Sequence, residues 1–501
     1  MAGGGRKIKE VVVAGGGITG WSAAAALRRR LPGLAVTIVP VPPPPDALAD
    51  RIASTLPSIL EFHRDIGLGD ADAIVRAGSS FRLGTCFEGW AERLPAYVHA
   101  YGEYGRPFGT ASFHLHWIRA AQRRAAAAFD SHSPAAAIAR AGRFVQPQGE
   151  DGSPLAGFEY GLELNLPRYG EMMRAYARHL GVAERGGGID EVKLHGETGF
   201  IAALRLDDGS ELGGDLFIDC TGPAALLRRA LDQDFEPWAR WLPCDRLLLA
   251  ETPPPSDPPA LDTVTALPAG WRWRAASPVR TAHGLVYASA HLGDAEAAAA
   301  LRDAAGAEPG GPPARIRAGR RPEPWRGNCV AIGDAAVAME PLEWGNLHLA
   351  HSAIDRIVAM MPDRDFGAVE LWDYNRQAGA EADRMRDFLV LHYAASRRSE
   401  PFWQAAAAVE PPASLAHTLS LFRERGRLPI HEEETFSRDS WLAVLLGQGV
   451  IPERTDPLIE TLSPAVADQA MAKLRETIAA IVPTLPSHAD YLRNLSRQFA
   501  R

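Results

Sequence analysis

The chain has 501 residues, of which 46% are hydrophobic and 23% charged, a composition typical of a globular protein large enough for two or three domains. Its formal net charge of −8 argues against nucleic acid as a partner. No apolar run approaches the roughly 20 residues that cross a bilayer. The apolar run at residues 11–14 is too short for a signal-peptide core, so we expect a cytoplasmic protein with no membrane partner.

The four cysteines give no sign of a disulfide framework or a metal site. They are Cys86, Cys220, Cys244 and Cys329, and no two of them form a CxxC pair. Isolated cysteines of this kind are most often buried, reduced thiols. We therefore predict a protein without a bound metal.

The N-terminal segment has the pattern of a βαβ unit. Residues 8–14 (IKEVVVA) predict a buried parallel strand, residues 21–30 (WSAAAALRRR) a helix, and residues 34–39 (LAVTIV) a second strand. Prolines at residues 40 and 42–45 cannot continue a sheet, so the chain is expected to leave the fold there.

Further elements are predicted downstream. Residues 169–180 predict a helix, and Asp208-Gly209 between two apolar segments predicts a hairpin, because Asp-Gly tolerates the positive φ angles of such turns. Residues 217–220 and 330–333 predict buried strands, and a helix is expected from about Leu347. From residue 366 onward the pattern is mostly helical.

The turn between the first strand and the first helix reads Gly15-Gly16-Gly17-Ile18-Thr19-Gly20. In a dinucleotide-binding fingerprint, the first glycine of GxGxxG permits the tight turn, the second lets the backbone approach a pyrophosphate, and the third lets helix and strand pack closely. The helix N-terminus then attracts the anion. These six residues are predicted to bind a cofactor; a purely structural turn is the alternative.

One part of this fingerprint is missing. An acidic residue is expected about 20 residues on, where it would hold the ribose hydroxyls. That position falls at Pro40, which has no side chain that can accept a hydrogen bond. We therefore predict weakened cofactor affinity unless Asp46 or Asp50 reaches back.

Two later motifs favour FAD over NAD. Gly333-Asp334 follows a predicted strand and resembles the second flavin-contact motif of FAD monooxygenases. Thr221-Gly222 resembles the turn that closes the flavin site in the same superfamily. We add Ile189 to the residues expected to contact the cofactor.

Taken together, the motifs resemble those of the flavin-dependent tryptophan halogenases, almost from end to end. The most distinctive is Glu340-Pro341-Leu342-Glu343. The other segments that carry the resemblance are Phe81-Arg82-Leu83-Gly84, Gly89-Trp90, Leu242-Pro243-Cys244-Asp245-Arg246, Gly270-Trp271-Arg272-Trp273, Gly319-Arg320-Arg321, Arg386-Asp387-Phe388, Leu391-His392-Tyr393, Phe402-Trp403 and Leu485-Pro486-Ser487-His488.

The resemblance implies an α/β fold: an FAD-binding Rossmann-type βαβ domain, an inserted sheet-containing substrate domain and a helical C-terminal region. We assign residues 1–400 to the halogenase-like module and 401–501 to a helical region that caps it. In the family, reduced FAD and oxygen oxidise a halide, and hypohalous acid passes through a tunnel to an aromatic substrate. Implied partners are FAD (as FADH2), chloride or bromide, a small aromatic such as tryptophan or an indole, and a separate flavin reductase. A homodimer is an open alternative for the oligomeric state.

The catalytic assignments also follow from the resemblance. Glu343 matches the glutamate that stabilises the cationic intermediate and helps to remove its proton. The alternative for Glu343 is a carboxylate that satisfies the N-terminus of the following helix. Arg82 stands where the family has its tunnel lysine. A guanidinium does not lose its proton and so forms no chloramine, although it can donate hydrogen bonds. The alternative for Arg82 is an ion pair, for example with Glu88 or Glu343.

Three further segments depart from the family pattern. Trp271 and Trp273 are kept, but Ala275-Ala276 replaces the Ile-Pro of that motif. After Glu343 the family has Ser-Thr and a glycine-containing halide turn, whereas this chain has Trp344-Gly345-Asn346. We expect Trp271, Trp273, Gly345 and Asn346 beside the substrate or halide. A segment that carries Gly-x-Gly-Glu in the family reads Asp50-Arg51-Ile52-Ala53.

Three functions remain open on this evidence. The first is an FAD-dependent halogenase that acts on an electron-rich aromatic. The second is a flavin monooxygenase that hydroxylates or oxidises an aromatic. The third is a non-catalytic protein that binds FAD or an aromatic ligand.

Overall fold

The computed structural model describes residues 7–69, 71–91, 94–148 and 153–499. By its internal contacts the chain divides into two compact units. The first contains Met1–Ser79, Leu164–Asp245 and Ala314–Asp383. The second contains Ser80–Glu163, Arg246–Pro313 and Arg384–Arg501. Residues 401–501 belong to the second unit, together with two earlier segments, and the assignment of residues 1–400 and 401–501 to a module and its cap stays a prediction.

A mostly parallel sheet forms the centre of the first unit. Strand β1 (Glu10–Ala14) lies between β2 (Ala35–Val39) and β3 (Leu216–Asp219), and all three are parallel. Strand β4 (Cys329–Ala331) extends the sheet beside β3, also in parallel. Helix α1 (Ile18–Arg30) connects β1 to β2. Because parallel strands end at the same edge of a sheet, the turns after β1, β3 and β4 lie at one edge.

The predicted βαβ unit is present, with shifted boundaries. Strand β1 begins at Glu10 and not at residue 8. Helix α1 begins at Ile18, three residues before the predicted start, because the Trp21 amide already donates to the Gly17 carbonyl at 3.1 Å. The last three residues of the glycine motif, residues 18–20, therefore already belong to the helix. The predicted hairpin is also present, with Leu204 opposite Leu212.

The remaining elements of the first unit include the two edge strands of this sheet, Ala183–Glu184 and Trp325–Arg326. Its other helices are Ser58–Ile66, the π-helix Asp72–Arg76, Leu166–His179 and α2 (Gly345–Ala359), with 3-10 turns at Leu48–Asp50, Gly222–Ala224, Arg228–Ala230, Gly333–Ala335 and Leu342–Trp344. Its other strands are Ala183–Glu184, Ile189–Leu194, Ile201–Leu206, Glu211–Gly213, Glu236–Pro237, Ala314–Arg315, Gly319–Arg320, Trp325–Arg326 and Val337–Ala338.

The second unit is built on a different sheet. Strand Gly270–Ala276 pairs in antiparallel fashion with Asp262–Leu267 on one side and with Thr281–Tyr287 on the other. Strand Arg246–Thr252 extends one end of this sheet, and Gly84–Glu88 joins the other end by parallel pairing with Asp262–Leu267. Side chains alternate between the two faces of such strands, so residues two apart, such as Trp271 and Trp273, share a face.

Helices make up much of the rest of the second unit. They are Phe113–Gln122, Pro134–Arg140, Asp294–Ala305, Pro401–Ala408, Ala413–Arg425, Arg438–Gly447, Pro464–Ile481 and His488–Phe499, with 3-10 turns at Phe129–His132, Pro154–Ala156, Pro457–Thr461 and Val482–Thr484. The other strands are Ser80–Arg82, Tyr97–Ala100 and Gly161–Glu163. The long helix Ala368–Ala394 contributes residues to both units. Within the described part of the chain, every helix is too short or too polar to span a membrane.

Candidate active site

The glycine turn joins β1 to α1 in the conformation that a nucleotide fingerprint requires. Gly15 has a φ of +135°, which a side chain would disfavour, and a Cβ there would lie 2.8 Å from the carbonyl carbon of Cys220. A Cβ at Gly20 would lie 2.8 Å from the carbonyl carbon of Gly15, so α1 and β1 pack too closely for a side chain. Ile18 and Thr19 are buried in the first turn of α1.

The second predicted turn lies against the first. Gly333 follows β4 with a φ of +65°, and a Cβ there would lie 3.1 Å from the Thr19 side chain. The Asp334 carboxyl accepts a hydrogen bond from the Ala49 amide at 2.7 Å. Burial, helped by the neighbouring carboxylates of Asp50 and Asp46, raises the pKa of Asp334 to about 8.

The third predicted turn follows β3 at the same edge. Thr221 donates to the buried Asp219 carboxylate through its amide at 3.0 Å and through its hydroxyl at 2.6 Å. The other Asp219 oxygen accepts from the Leu227 amide at 2.9 Å, so this one carboxylate holds the turn. Gly222 has a φ of +72° and lies against Ala47. The three turns named by the sequence are therefore assembled at one edge of the sheet.

Ile189 lies away from these turns in the pairing pattern. It begins strand Ile189–Leu194 in a separate three-stranded sheet, opposite Leu206. Its side chain is half-buried and packs on the hydrophobic cluster that contains Val12 and Phe217. This position gives Ile189 a packing role, and its contact with the cofactor stays a prediction.

Near the ribose position, the structure shows which group the Asp50 carboxylate contacts. The Gly16 amide donates to the Val41 carbonyl at 2.6 Å, so the chain just after Pro40 lies directly against the glycine turn. Asp50 does reach back, but to the N-terminus of α1: its carboxylate accepts from the Thr19 amide at 2.7 Å. Asp50 therefore contacts the end of the site where the pyrophosphate is expected, and not the ribose position.

These residues fit FAD under one condition. The turns provide the close backbone approach and the helix N-terminus that a pyrophosphate needs, and Asp334 offers a carboxyl for ribityl hydroxyls. The Thr19 amide, which would donate to the pyrophosphate, donates here to the Asp50 carboxylate. FAD therefore fits once Asp50 has moved from that amide.

Glu343 lies in an unusual stretch of backbone just before α2. It is fully buried, with a φ of 62°, and Trp344 follows with a φ of 64°. Two consecutive non-glycine residues in the left-handed region each cost of order 1–3 kcal/mol, which surrounding packing must offset. Both residues are buried, so the surrounding side chains pack against this strained backbone, and the catalytic role of Glu343 stays a prediction.

The expected halide turn follows directly. Gly345 is the first residue of α2, and Asn346 donates through its side-chain amide to the Met339 carbonyl at 3.0 Å. Both residues are buried. A backbone amide at a buried helix N-terminus is suited to an anion, so halide binding at Gly345 stays a chemically reasonable prediction.

Arg82 lies in the second unit, in a buried ion pair. Its side chain is 1% exposed, and its Nε donates to the Asp262 carboxylate at 2.8 Å. Its remaining nitrogens donate to the Tyr101 hydroxyl and, at 3.0 Å, to Thr85 Oγ1. Burial alone would lower the pKa of Arg82, but Asp262, Tyr101 and Glu163 together raise it, so the guanidinium stays charged.

An ion pair with a carboxylate, for example Glu88 or Glu343, was the alternative predicted for Arg82. The partner found is Asp262, the first residue of strand Asp262–Leu267. Glu88, one of the two carboxylates suggested, accepts a hydrogen bond from Thr265 at 2.8 Å. Whether Arg82 also takes part in catalysis stays a prediction.

The two tryptophans of the altered motif are core residues of the second unit. The Trp271 indole donates to the Tyr393 hydroxyl at 3.1 Å, and its ring lies 5.8 Å from that of Trp273. Trp273 lies opposite Gly284 across the strand pair, and its indole covers the space that a side chain at position 284 would need. The pair therefore packs the sheet, and a role beside substrate stays a prediction.

The second unit also contains a cavity of about 450 Å³, within the usual range for small-molecule sites. Aromatic walls come from Phe436 and Trp441, and polar groups from Arg384 and Glu434. Arg384 donates to the Glu434 carboxylate at 3.2 Å, so the charges are paired within the wall. No motif had singled out this cavity, because its lining comes from segments far apart in sequence.

Comparison with known proteins agrees with this geometry. The sequence profile of the family described as tryptophan halogenase matches residues 10–464. The chain belongs to the tryptophan halogenase family. Its members are flavin-dependent enzymes of the oxidoreductase type, so the predictions of the family, of an enzyme of this type and of the α/β fold class are confirmed.

Individual relatives match along their full length. A tryptophan 6-halogenase from Streptomyces toxytricini is 28% identical, with 98% of this chain and 99% of the relative aligned. Among solved structures, the flavin-dependent halogenase BrvH from Brevundimonas sp. BAL3 has a TM-score of 0.91 and 35% identity over 98% of this chain and 99% of that chain. A flavin-dependent halogenase from Xanthomonas campestris has the same TM-score and 34% identity, with 98% of this chain and 99% of that chain covered.

Proposed function

We propose that this protein uses reduced FAD and oxygen to halogenate an electron-rich aromatic substrate of the indole type, such as tryptophan. The observation that carries the proposal is the position of Glu343. This residue is fully buried and is the first of two successive left-handed residues just before α2. A fixed, desolvated carboxylate is suited to stabilise a cationic intermediate.

The predicted site residues of the first unit then have distinct roles. The glycine turn and Asp334 hold the cofactor. When bound, reduced FAD supplies, with oxygen, the oxidising power that the halide needs. The Gly345 amide at the N-terminus of α2 binds chloride or bromide. Glu343 stabilises the halogenated aromatic cation and accepts the proton that restores aromaticity.

The partners follow from this chemistry. The second unit has a cavity of its own, with walls formed by Phe436 and Trp441. Such walls favour a flat, polarisable ring. The cofactor arrives already reduced, so a separate flavin reductase is the expected protein partner.

The test is a reconstituted reaction. Purified protein, a flavin reductase, NADH, oxygen, bromide and FAD are incubated with a panel of indoles, and products are analysed by mass spectrometry. We expect bromide-dependent brominated products. Glu343→Gln keeps the size of the side chain but is a far weaker base, so turnover should fall by about 100-fold or more. Glu370→Gln, an exposed carboxylate in the same unit, is the control and should keep full activity.

A second candidate function is favoured by Arg82. Its charge is held by Asp262 and Tyr101, which leaves no amine at this position to carry an oxidised halogen. If the same reaction gives oxygenated products that do not depend on bromide, the protein is a flavin monooxygenase. Absence of any product with FAD bound would favour the non-catalytic alternative.

A further inference from the structure

The N-terminus of α1 already holds an anion, and that anion belongs to the chain itself. Asp50 ends the 3-10 turn Leu48–Asp50, and its Oδ1 accepts from the Thr19 amide at 2.7 Å. A Cβ at Gly17 would lie 2.5 Å from the same oxygen. The carboxylate therefore fills the space that the absent side chain of Gly17 leaves open.

That space is the one the glycine fingerprint keeps clear. In a GxGxxG turn, the second glycine lacks a side chain so that a pyrophosphate can approach the backbone, and the first amides of the helix bind its oxygens. Gly17 is that second glycine, and Thr19 carries one of those amides. A carboxylate at this place competes for the same donors and repels a second anion.

Asp50 is held there by its neighbours in the chain. The segment at residues 40–50, which we call the cover segment, lies on the glycine turn through the bond from the Gly16 amide to the Val41 carbonyl. At its other end, the Ala49 amide donates to Asp334 at 2.7 Å. Ala47 and Ala49 are buried. These contacts anchor the backbone of the cover segment and so bring the Asp50 side chain to the N-terminus of α1.

The surrounding charge is mostly negative. Burial raises the pKa of Asp50, and the Thr19 and Ile18 amides and the Arg51 side chain oppose that rise. Asp334 and Asp46 bring two further carboxyls to the same place. Arg51 is the cation that acts on Asp50 here, so the site without its cofactor is an acidic cluster.

We propose that the Asp50 carboxylate is an internal competitor for the pyrophosphate of FAD, which must be displaced from the Thr19 amide before the cofactor can bind. This inference rests on the proposed FAD dependence. The resemblance to the halogenases adds a point: the family carries Gly-x-Gly-Glu in the segment that here reads Asp50-Arg51-Ile52-Ala53. Wild-type protein is therefore expected to bind FAD weakly, in a manner controlled by one side chain.

The competition depends on pH. Deprotonation of Asp334 at higher pH adds a second negative charge beside the site. FAD affinity should therefore fall as pH rises from about 6 to about 8.

The test is a titration of oxidised FAD, followed by flavin fluorescence and by calorimetry at pH 6 and pH 8. We compare wild type, Asp50→Gly, Asp50→Asn and the control Asp46→Asn. Asp46→Asn removes the same charge from the cover segment without freeing the Thr19 amide. At pH 8, Asp50→Gly should raise the affinity about tenfold or more, the scale of one charge-assisted hydrogen bond. Asp50→Asn should give a smaller gain, and Asp46→Asn less than about threefold.

The outcomes separate this inference from the proposed function. Tight binding by wild type at pH 8, with no gain in the folded Asp50 variants, overturns the competition and leaves FAD dependence intact. An equal gain in Asp46→Asn overturns it too, because general charge and not occupancy of the amide would then be responsible. If no variant binds FAD at either pH, both proposals fall. Circular dichroism checks folding, and Asp50→Asn preserves the test if Asp50→Gly does not fold.

Discussion

Asp50 in the first unit and Arg82 in the second are both charged residues at positions where the family pattern has something else, yet their charges are satisfied in different ways. Arg82 has a dedicated partner, Asp262, together with Tyr101 and Thr85. Asp50 uses a backbone amide at a helix N-terminus that suits an incoming anion equally well. The Arg82 guanidinium therefore stabilises the fold, whereas the Asp50 carboxylate uses a hydrogen-bond donor that a ligand could use in its place.

The largest expected effect tests the first half of this comparison. Arg82→Met should lower the free energy of unfolding by about 3–5 kcal/mol, because it leaves the Asp262 carboxylate buried without its cation. The measurement is urea or thermal denaturation. Arg302→Met removes an exposed ion pair of the same unit, the one between Arg302 and Glu308, and should leave the free energy of unfolding nearly unchanged.

A double variant sharpens the result. Arg82→Met combined with Asp262→Leu removes both charges and should recover much of the lost stability. Equal losses in Arg82→Met and Arg302→Met would contradict a dedicated buried pair.

The next effect concerns pH. The pKa of Asp334 is about 8 in the folded chain, raised by burial from its ordinary value of 3.8. Between these values the folded chain keeps a proton that the unfolded chain has released, so stability falls as pH rises through this window. The slope can reach about 1.4 kcal/mol per pH unit for one proton. Asp334→Asn should flatten the fall, as measured by denaturation at pH 6 and pH 8.

Asp208 provides the control for that experiment. Its carboxylate is exposed, and hydrogen bonds from Ser210 lower its pKa, so Asp208→Asn leaves the slope between pH 6 and pH 8 unchanged. A wild-type profile that is already flat between these pH values would show that Asp334 titrates normally. The Arg82 pair should contribute equally at both pH values, because a guanidinium does not titrate there.

The smallest expected effect completes the comparison. Asp50→Asn should change the free energy of unfolding by no more than about 1 kcal/mol, since a carboxamide oxygen still accepts from the Thr19 amide. Denaturation without FAD measures this change. A loss as large as that of Arg82→Met would mean that Asp50 is structural, and the contrast between the two residues would disappear.

The first unit was the more predictable half of the molecule because its signals are local. A Cβ at Gly20 would clash with Gly15 in the same turn, and an apolar run before that turn makes β1. The turns at Thr221 and Gly333 follow strands in the same way. Once parallel strands are assigned, their ends must meet at one edge, and the structure has them there.

The parts that could not be predicted depend on distant residues. Arg82 and its partner Asp262 are 180 residues apart, and nothing in either segment indicates the other. The sequence predicted that Asp50 could reach back towards the cofactor. Which atom it contacts depends on the path of the cover segment, and the prolines there determine only that the sheet ends. The left-handed backbone at Glu343 and Trp344 has no sequence signal, because neither residue favours it.

The contact between Trp273 and Gly284 has a consequence for directed evolution. The two residues lie opposite each other on paired strands, and the indole occupies the volume of any side chain at position 284. A library that varies position 284 alone would sample only disrupted sheets, and one that shrinks position 273 alone would leave a void. Productive variants in this region must change both positions in the same clone.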